Sequence, residues 1–178
     1  MTLIYSHIGT IWKILLMGIM GFMLAGCSVS FNTTGTDGRL PDDYETINIE
    51  NFSNEARTVV PYMAPEFTQM LQDRFLRQSR LTLTTSNADL MVSGSITQYR
   101  ISPVAITGDE RAEQNRMTIG VKVVLENNVR SDESDEFTLT QQLDFNASED
   151  FASIERDLIE EVFDQLTQDI FNKSLGKW

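Results

Sequence analysis

MTIGVKVVL, residues 117–125, has an apolar side chain at every second position, which is the period of a half-buried β-strand. FTLTQQLDF, residues 137–145, alternates in the same way. FASIERDLIEEVFDQLTQDI, residues 151–170, repeats apolar residues every three or four positions, as an amphipathic helix does. Together these stretches predict a β-hairpin followed by a long helix of about 20 residues that buries one stripe.

The residues before this hairpin predict more strands and a second helix. Ile47 and Ile49 alternate, and Phe67, Met70, Leu71 and Phe75 follow Pro65 at helical spacing. Later, the apolar residues change parity between Ile96 and Tyr99, which predicts a β-bulge near Gln98. The predicted elements are a strand over 46–52, a helix from Pro65 to about Gln78, and strands over 81–85 and 90–101.

The order of these elements predicts the fold class. A strand and a helix are followed by three or four antiparallel strands and a final helix. Helices kept to one side of such a sheet define an α+β fold. We therefore expect a two-layer sandwich, with two helices packed on one face of a four- to five-stranded, mostly antiparallel sheet.

A long connection interrupts the predicted sheet. Between Ile101 and Arg116 lie 14 residues that open with an apolar patch, Pro103-Val104-Ala105-Ile106. Loops of this length in a compact domain are usually functional or disordered. We interpret it as a partner-contact loop, with Pro103, Val104 and Ile106 as the contacting residues.

The N-terminus predicts export and lipidation. Lys13 precedes an uncharged run, Ile14 to Leu24, of 11 residues, whereas a membrane-spanning helix needs about 20. The run therefore has the features of a signal peptide, and it ends in Leu24-Ala25-Gly26-Cys27, which matches the lipobox of bacterial lipoprotein precursors. We predict a cleaved signal peptide over 1–26, a lipidated N-terminus and tether over 27–41 with the lipid on Cys27, and a folded domain over 42–178.

The composition excludes several classes of protein. The chain contains one cysteine and one histidine, so no intrachain disulfide and no structural zinc site of four cysteines can form. The histidine, His7, lies in the predicted signal peptide, and its removal would leave no imidazole for Ser-His-Asp or Cys-His catalysis. With 26 acidic and 14 basic residues, the chain is also a poor partner for nucleic acid.

Charge is distributed unevenly along the chain. Residues 126–169 contain 14 acidic and 2 basic side chains, whereas residues 51–125 contain 7 and 8. The bases cluster as Arg74, Arg77 and Arg80 in the first helix region, and as Arg100, Arg111 and Arg116 around the long loop. Arginine suits bidentate contact with phosphate, and we take Arg100, Arg111 and Arg116 as candidate contacts to lipid phosphate. Local ion pairing of these arginines is the alternative.

Three segments resemble a known family. FTQMLQDRFLRQSRLTLTTSNADLMVSGSITQY (67–99), SPVAITGDERAEQNRMTI (102–119) and IEEVFDQLTQDIFNKSLGKW (159–178), together with the lipobox, resemble the LptE family of lipopolysaccharide-assembly lipoproteins in its Bacteroidetes branch. The resemblance implies an outer-membrane lipoprotein, anchored in the inner leaflet and facing the periplasm, with two helices on a four-stranded sheet.

The resemblance also implies a partner and a ligand. Members of the family plug the LptD β-barrel, support its assembly, bind lipopolysaccharide, and carry no cofactor or catalytic activity. Two other classes stay open from the residues alone. One is an accessory lipoprotein of another outer-membrane assembly machine, and the other is a carboxylate-dependent hydrolase, for which paired acids such as Glu160-Glu161 are available.

Overall fold

The computed structural model describes residues 44–104 and 113–175. The predicted signal peptide, the predicted lipidation site Cys27 and the predicted tether lie outside the described residues. The described elements are β1 Thr46–Ile49, β2 Ser53–Asn54, α1 Met63–Gln78, β3 Thr82–Leu83, β4 Leu90–Val104, β5 Gln114–Asn127, a short 3₁₀ helix Ser131–Glu133, β6 Asp135–Asn146 and α2 Phe151–Leu175.

The α+β class with two helices is confirmed, but the sheet is mixed. Its strand order is β3-β1-β4-β5-β6, with β2 pairing to β4 beyond the end of β1. β4, β5 and β6 are antiparallel, whereas β1 is parallel to both β3 and β4, and β2 is parallel to β4. The sheet is therefore mixed and has six strands, where the sequence predicted a mostly antiparallel sheet of four to five. The crossover through α1 returns the chain in its original direction, so that β1 and β3 lie side by side in parallel.

The predicted bulge in β4 is confirmed. The register with β5 shifts between Ile96 and Gln98, which leaves Thr97 as the extra residue. Ile96 and Tyr99 consequently both face the helices, and the buried hydroxyl of Tyr99 donates to Glu155 Oε1 on α2 at 2.5 Å. The pKa of the Tyr99 phenol is raised, mainly because the side chain is buried and also because its hydroxyl donates to a carboxylate.

The core lies between one face of the sheet and the two helices. Phe52, which precedes β2, packs edge-to-face on Phe67 of α1 with ring centres 5.1 Å apart. Phe67 packs in turn on Phe163 of α2 at 5.0 Å. All three rings are buried, and edge-to-face packing of aromatic pairs adds about 0.5–1.5 kcal/mol each to their burial.

Phe52 fits over the sheet because the residue beneath it is glycine. A Cβ atom on Gly94 would lie 2.6 Å from the Phe52 ring and 2.2 Å from the carbonyl oxygen of Lys122 on β5. Both distances are far below contact distance. Gly94 therefore allows the aromatic ring and the neighbouring strand to approach the backbone of β4 closely.

The start of β1 is held by one carboxylate. Asp89 Oδ2 accepts hydrogen bonds from the backbone N–H of Glu45 at 2.9 Å, the backbone N–H of Thr46 at 2.8 Å and the Thr46 hydroxyl at 2.8 Å. These hydrogen bonds lower the pKa of Asp89, and the bond from the backbone of Glu45 has the largest effect. The ionised carboxylate thus joins the residue before β4 to the first residues of β1.

We expect Asp89→Asn to lower the free energy of unfolding at pH 7 by about 1–3 kcal/mol, because the charged acceptor is lost. The folded pKa is lowered, so the stabilisation is present above the unfolded pKa of about 3.9 and disappears as the pH falls through the folded value. Urea unfolding between pH 7 and pH 3 should show the two proteins converging in acid. Glu126→Gln is the control, because this exposed side chain on β5 forms no hydrogen bond in the described region. A difference that persists unchanged at pH 3 would contradict the assignment.

Candidate functional site

In the described part of the chain, the sheet has one face covered by helices and one open face. Along β6, residues with odd numbers from Phe137 to Phe145 point toward α2, and residues with even numbers from Glu136 to Asn146 are exposed on the open face. The register places the open-face residues of the three long strands side by side. They include Arg100 and Ser102 on β4, Arg116, Thr118 and Lys122 on β5, and Glu136, Thr138, Thr140, Gln142 and Asp144 on β6.

Two of the three candidate arginines lie together on this open face. Arg100 pairs with Thr118 across the β4–β5 ladder, and Arg116 pairs with Ser102. The two arginines are therefore diagonal cross-strand neighbours, a relation that places Cβ atoms about 7–8 Å apart. Arg111 lies outside the described residues, so the full cluster of three stays a prediction.

Arg116 is already neutralised by a carboxylate. Its Nε and Nη2 donate to Asp144 Oδ1 and Oδ2 at 2.6 and 2.8 Å, which is the bidentate geometry of a strong arginine–carboxylate pair. This pairing raises the pKa of Arg116 and lowers the pKa of Asp144. The side-chain hydrogen bond is the largest cause of both shifts, and the attraction of opposite charges adds to it. The alternative of ion pairing within the protein thus applies to Arg116. Its partner, Asp144 on β6, was not predicted from the sequence.

Arg100 differs, because no carboxylate within residues 44–104 and 113–175 pairs with it. Its side chain is exposed on the open face. Its neighbour Thr118 is only 3% exposed, and the Thr118 hydroxyl has no hydrogen-bond partner in the described structure. The exposed guanidinium of Arg100 therefore offers unused donors of the kind that bind an anionic oxygen, whereas the neighbouring Thr118 hydroxyl is unsatisfied but not accessible to solvent in this structure.

Sequence reasoning missed Thr118. It lies inside the strand MTIGVKVVL, where its parity assigns it to the polar face, but nothing in the sequence sets it beside Arg100. That relation depends on the register of β4 against β5, which the bulge at Thr97 shifts by one residue. The only available signal was the parity of the strand.

The predicted loop is shorter than expected. Pro103 pairs with Asn115 and Val104 with Gln114, so both strands continue past the predicted limits at Ile101 and Arg116, and only residues 105–113 join them. Proline is tolerated here because β2 ends its pairing with β4 at Ile96, which leaves that side of β4 free of a hydrogen-bonded neighbour in the described structure. Within the candidate partner-contact loop, Pro103 is exposed and Val104 half-buried, and Ile106 lies outside the described residues.

The arginines of α1 serve the fold. Arg74 is buried and reaches α2, where its Nε donates to Thr167 Oγ1 at 3.0 Å and its Nη1 donates to Gln168 Oε1 at 2.5 Å. Its Nη2 donates to the backbone carbonyl and the carboxylate of Asp164. Arg77 lies 3.7 Å from Asp73 within α1. Arg74 therefore joins the two helices and is not available to a ligand.

The outer surface of the helix layer carries acidic side chains around a shallow groove. The larger part of the groove, about 540 Å³, is lined by residues that include Tyr62, Met70 and Arg156. Arg156 lies 3.4 Å from Glu66 across the two helices. An adjoining part, about 350 Å³, is lined by Met70 and four carboxylates, Asp157, Glu160, Glu161 and Asp164.

Two further observations concern the chemistry of the described residues. Among them, no three histidine, cysteine, aspartate or glutamate side chains are grouped closely enough to hold a metal ion. Within the same residues, neither helix combines the length and the apolar character needed to cross a lipid bilayer.

Comparison with solved structures identifies chains of similar fold. The minor lipoprotein of Acinetobacter baumannii is 17% identical and has a TM-score of 0.50, over 75% of this chain and 95% of that one. A homologue of the neuraminyllactose-binding hemagglutinin of Helicobacter pylori is 9% identical, with a TM-score of 0.52 over 76% and 85% of the two chains. At these identities the likeness shows the fold alone. No curated protein matches the sequence significantly.

Comparison with family models identifies the family. The model named LptE, described as lipopolysaccharide-assembly, matches residues 44–174. The match begins just before β1 and ends one residue before the end of α2, so it includes the whole sheet and both helices. It confirms the resemblance found in the sequence, and because the family is not enzymatic it removes the hydrolase alternative. The chain belongs to the LptE family of lipopolysaccharide-assembly lipoproteins of the cell envelope.

Proposed function

We propose that this protein is the LptE subunit of an outer-membrane lipopolysaccharide translocon. It plugs and supports an LptD-type β-barrel and assists the insertion of lipopolysaccharide into the outer leaflet. The observation that carries the proposal is the family match over residues 44–174, which spans the complete sandwich. The protein works without a cofactor, and its only attached group is the lipid on its N-terminal cysteine.

The proposed location is the periplasmic side of the outer membrane. The lipobox Leu24-Ala25-Gly26-Cys27 supplies the thiol for lipidation. No acidic residue follows within Ser28-Val29-Ser30-Phe31-Asn32, which favours transfer to the outer membrane. Two or more acyl chains on Cys27 would hold the protein stably in the inner leaflet, since a single chain gives only marginal binding.

The distribution of charge supports one face of the protein for lipid contact. Lipopolysaccharide is anionic, and the outer surface of the helices presents carboxylates. The open face of the sheet presents Arg100, with no carboxylate partner among the described residues, and the unsatisfied hydroxyl of Thr118. We propose that Arg100 donates to a phosphate oxygen of the lipid, and that the buried Thr118 hydroxyl does so as well once a local rearrangement on lipid binding exposes it. Arg111 and Arg116 remain proposed contacts, and Arg116 would share its guanidinium with Asp144.

The end of the β4–β5 hairpin is the proposed contact with the barrel. Pro103 is exposed and Val104 half-buried at the end of β4, and Ile106 follows them in the connection. Apolar residues at the far end of a pair of strands suit docking against the wall of a larger protein. The long β4–β5 ladder would hold Pro103 and Val104 in a fixed position.

The barrel partnership can be tested by copurification of a tagged full-length chain from outer membranes. We expect a large β-barrel of the lipopolysaccharide-export type to be recovered, and to be lost when Pro103, Val104 and Ile106 are replaced together by serine. A triple serine variant at exposed Thr138, Thr140 and Gln142 of β6 is the matched control, and it should retain the barrel. Recovery of the barrel of a different assembly machine would refute the proposal in favour of another accessory lipoprotein.

We expect Cys27→Ala to accumulate as an unprocessed precursor that incorporates no radiolabelled fatty acid. Without the thiol, the acyl donor has no nucleophile to modify, and the signal peptide is not removed. Electrophoretic mobility and lipid labelling measure the two effects. Ser28→Ala, one residue further on, should be processed and labelled like the wild type. Normal processing of Cys27→Ala would show that the lipobox assignment is wrong.

Lipid contact can be tested with two single substitutions on the open face. Arg100→Gln should weaken lipopolysaccharide binding about tenfold, the equivalent of one charge-assisted hydrogen bond. Thr118→Val should also weaken binding but should leave thermal stability equal or higher, because it removes a buried hydroxyl that has no partner.

Arg57→Gln, at an exposed position between β2 and α1, is the control and should bind like the wild type. Binding of purified lipopolysaccharide and thermal unfolding are measured on the same samples. Unaltered binding in both open-face variants would exclude Arg100 and Thr118 as contacts.

A further inference from the structure

The outer edge of β6 has no neighbouring strand within residues 44–104 and 113–175. β6 spans Asp135–Asn146 and pairs there only with β5, in a register without a bulge. Its sequence contains no proline, glycine or lysine. Proline, lysine, a bulge or a very short strand are the usual protection of an exposed edge, and the opposite edge of this sheet has it, because β3 is only two residues long. The edge of β6 is therefore open to pairing with another backbone.

The register shows which backbone groups of β6 point outward. The backbone N–H of Ala147 donates to the carbonyl oxygen of Glu113 at 3.0 Å, and this bond continues the β5–β6 ladder. In an antiparallel pair, residues that exchange hydrogen bonds alternate with residues that do not. The odd-numbered residues of β6 therefore bond to β5, and the even-numbered residues from Glu136 to Asn146 direct their N–H and C=O groups to the free edge.

The charges on β6 determine what kind of segment can lie beside it. Glu136 Oε1 lies 2.7 Å from Lys122 Nζ, and Asp144 forms the bidentate pair with Arg116, so a cation on β5 neutralises each carboxylate. Between these two positions, residues 137–143 are uncharged. The edge is close to neutral although the whole chain has a formal charge of −12, and it therefore suits an uncharged segment.

The helix-facing side of β6 is only partly covered by α2. At its centre, the Gln141 side chain donates to Asp169 Oδ2 on α2 at 2.5 Å, which fixes the middle of the strand. On either side of Gln141, Leu139 and Leu143 pack against the core but stay half-buried. A strand added at the edge would place every second side chain next to these leucines. Its apolar residues would therefore face α2, and its polar residues would lie on the open face.

The barrel around a plug is the nearest source of such a segment. Strands in the wall of a closed barrel are paired on both sides and have no free backbone groups to offer. Only a part of the barrel chain that folds into the lumen can therefore pair with β6. The free edge also ends close to the proposed barrel contact, because Asn146 pairs with Gln114, and Gln114 pairs with Val104 at the end of the β4–β5 hairpin.

We propose that the free edge of β6 binds an extended, uncharged segment of the barrel partner that folds into the lumen. The segment pairs with the outward backbone groups of the even-numbered residues from Thr138 to Asp144 and extends the sheet by one strand. Main-chain hydrogen bonds give such a contact its affinity, and the pockets beside Leu139 and Leu143 select alternate apolar side chains. The contact rests on the proposed function, because its partner is the barrel, and it lies at a different place from the hairpin end.

A proline at position 140 tests the main-chain pairing. Thr140→Pro removes an N–H that points to the free edge but leaves the β5–β6 hydrogen bonds in place, and proline is tolerated at such positions of an edge strand. We expect the full-length variant to unfold at nearly the wild-type temperature and to release the copurified barrel about tenfold faster, the equivalent of one lost hydrogen bond. Thr140→Val keeps the N–H and the shape of the side chain, and should release the barrel at the wild-type rate.

Hydrogen exchange of the wild type tests the same pairing without a substitution, and decides the matter if Thr140→Pro does not fold. The amides of Thr138, Thr140 and Gln142 should exchange rapidly in the isolated chain, because no group within the described residues accepts their hydrogens. In the copurified complex they should exchange about tenfold more slowly, the factor that corresponds to one hydrogen bond. The amide of Thr58, exposed between β2 and α1, is the control and should change less.

Two results would overturn this edge contact and leave the proposed function intact. In the first, the wild type recovers the barrel, but a folded Thr140→Pro releases it no faster than Thr140→Val does. In the second, the three edge amides exchange equally fast in the isolated chain and in the complex. Failure of the wild type to recover any barrel would instead refute the proposed function, and the edge contact with it.

Discussion

The approach of Phe52 to the bare backbone of Gly94 is the contact on which the rest of the sandwich depends. The ring can lie there only because no Cβ atom intervenes. From Phe52 the aromatic contacts continue to Phe67 on α1 and then to Phe163 on α2, so a single series of edge-to-face pairs joins the sheet to both helices. Protein interiors are close-packed, so displacing one of these three rings would disturb the packing of the sheet and of both helices.

The periodic part of the fold could be predicted from the sequence, because period and parity are local properties. Alternation gave the strands of the β5–β6 hairpin, helical spacing gave α1 and α2, and the change of parity gave the bulge near Gln98. The parallel pairing of β1 and β3 could not be predicted in this way. It depends on where α1 returns the chain, which is a property of packing between layers.

The site was less predictable than the fold, because ion pairs and hydrogen bonds depend on register between distant segments. Arg116 is followed by Asp144 only after 28 residues, and their contact exists because β5 and β6 pair in one register. Arg74 clusters with Arg77 and Arg80 in the sequence, yet its side chain lies between the helices and donates hydrogen bonds to three residues of α2. These two arginines thus have different roles, and burial and neighbouring residues distinguish them.

The bulge at Thr97 determines which side chains reach the open face. Upstream of it, Val92, Gly94 and Ile96 face the helices; downstream, Tyr99 and Ile101 do so, and Arg100 faces away. Deleting Thr97 would reverse the facing of every residue on the downstream part of β4. It would place the guanidinium of Arg100 under α2 and expose the side chains of Tyr99 and Ile101 to water. The length of the chain at this position is therefore as important as its composition. Substitutions on β4 can be absorbed one side chain at a time, whereas the loss of one residue there would change the chemical character of both faces of the sheet at once.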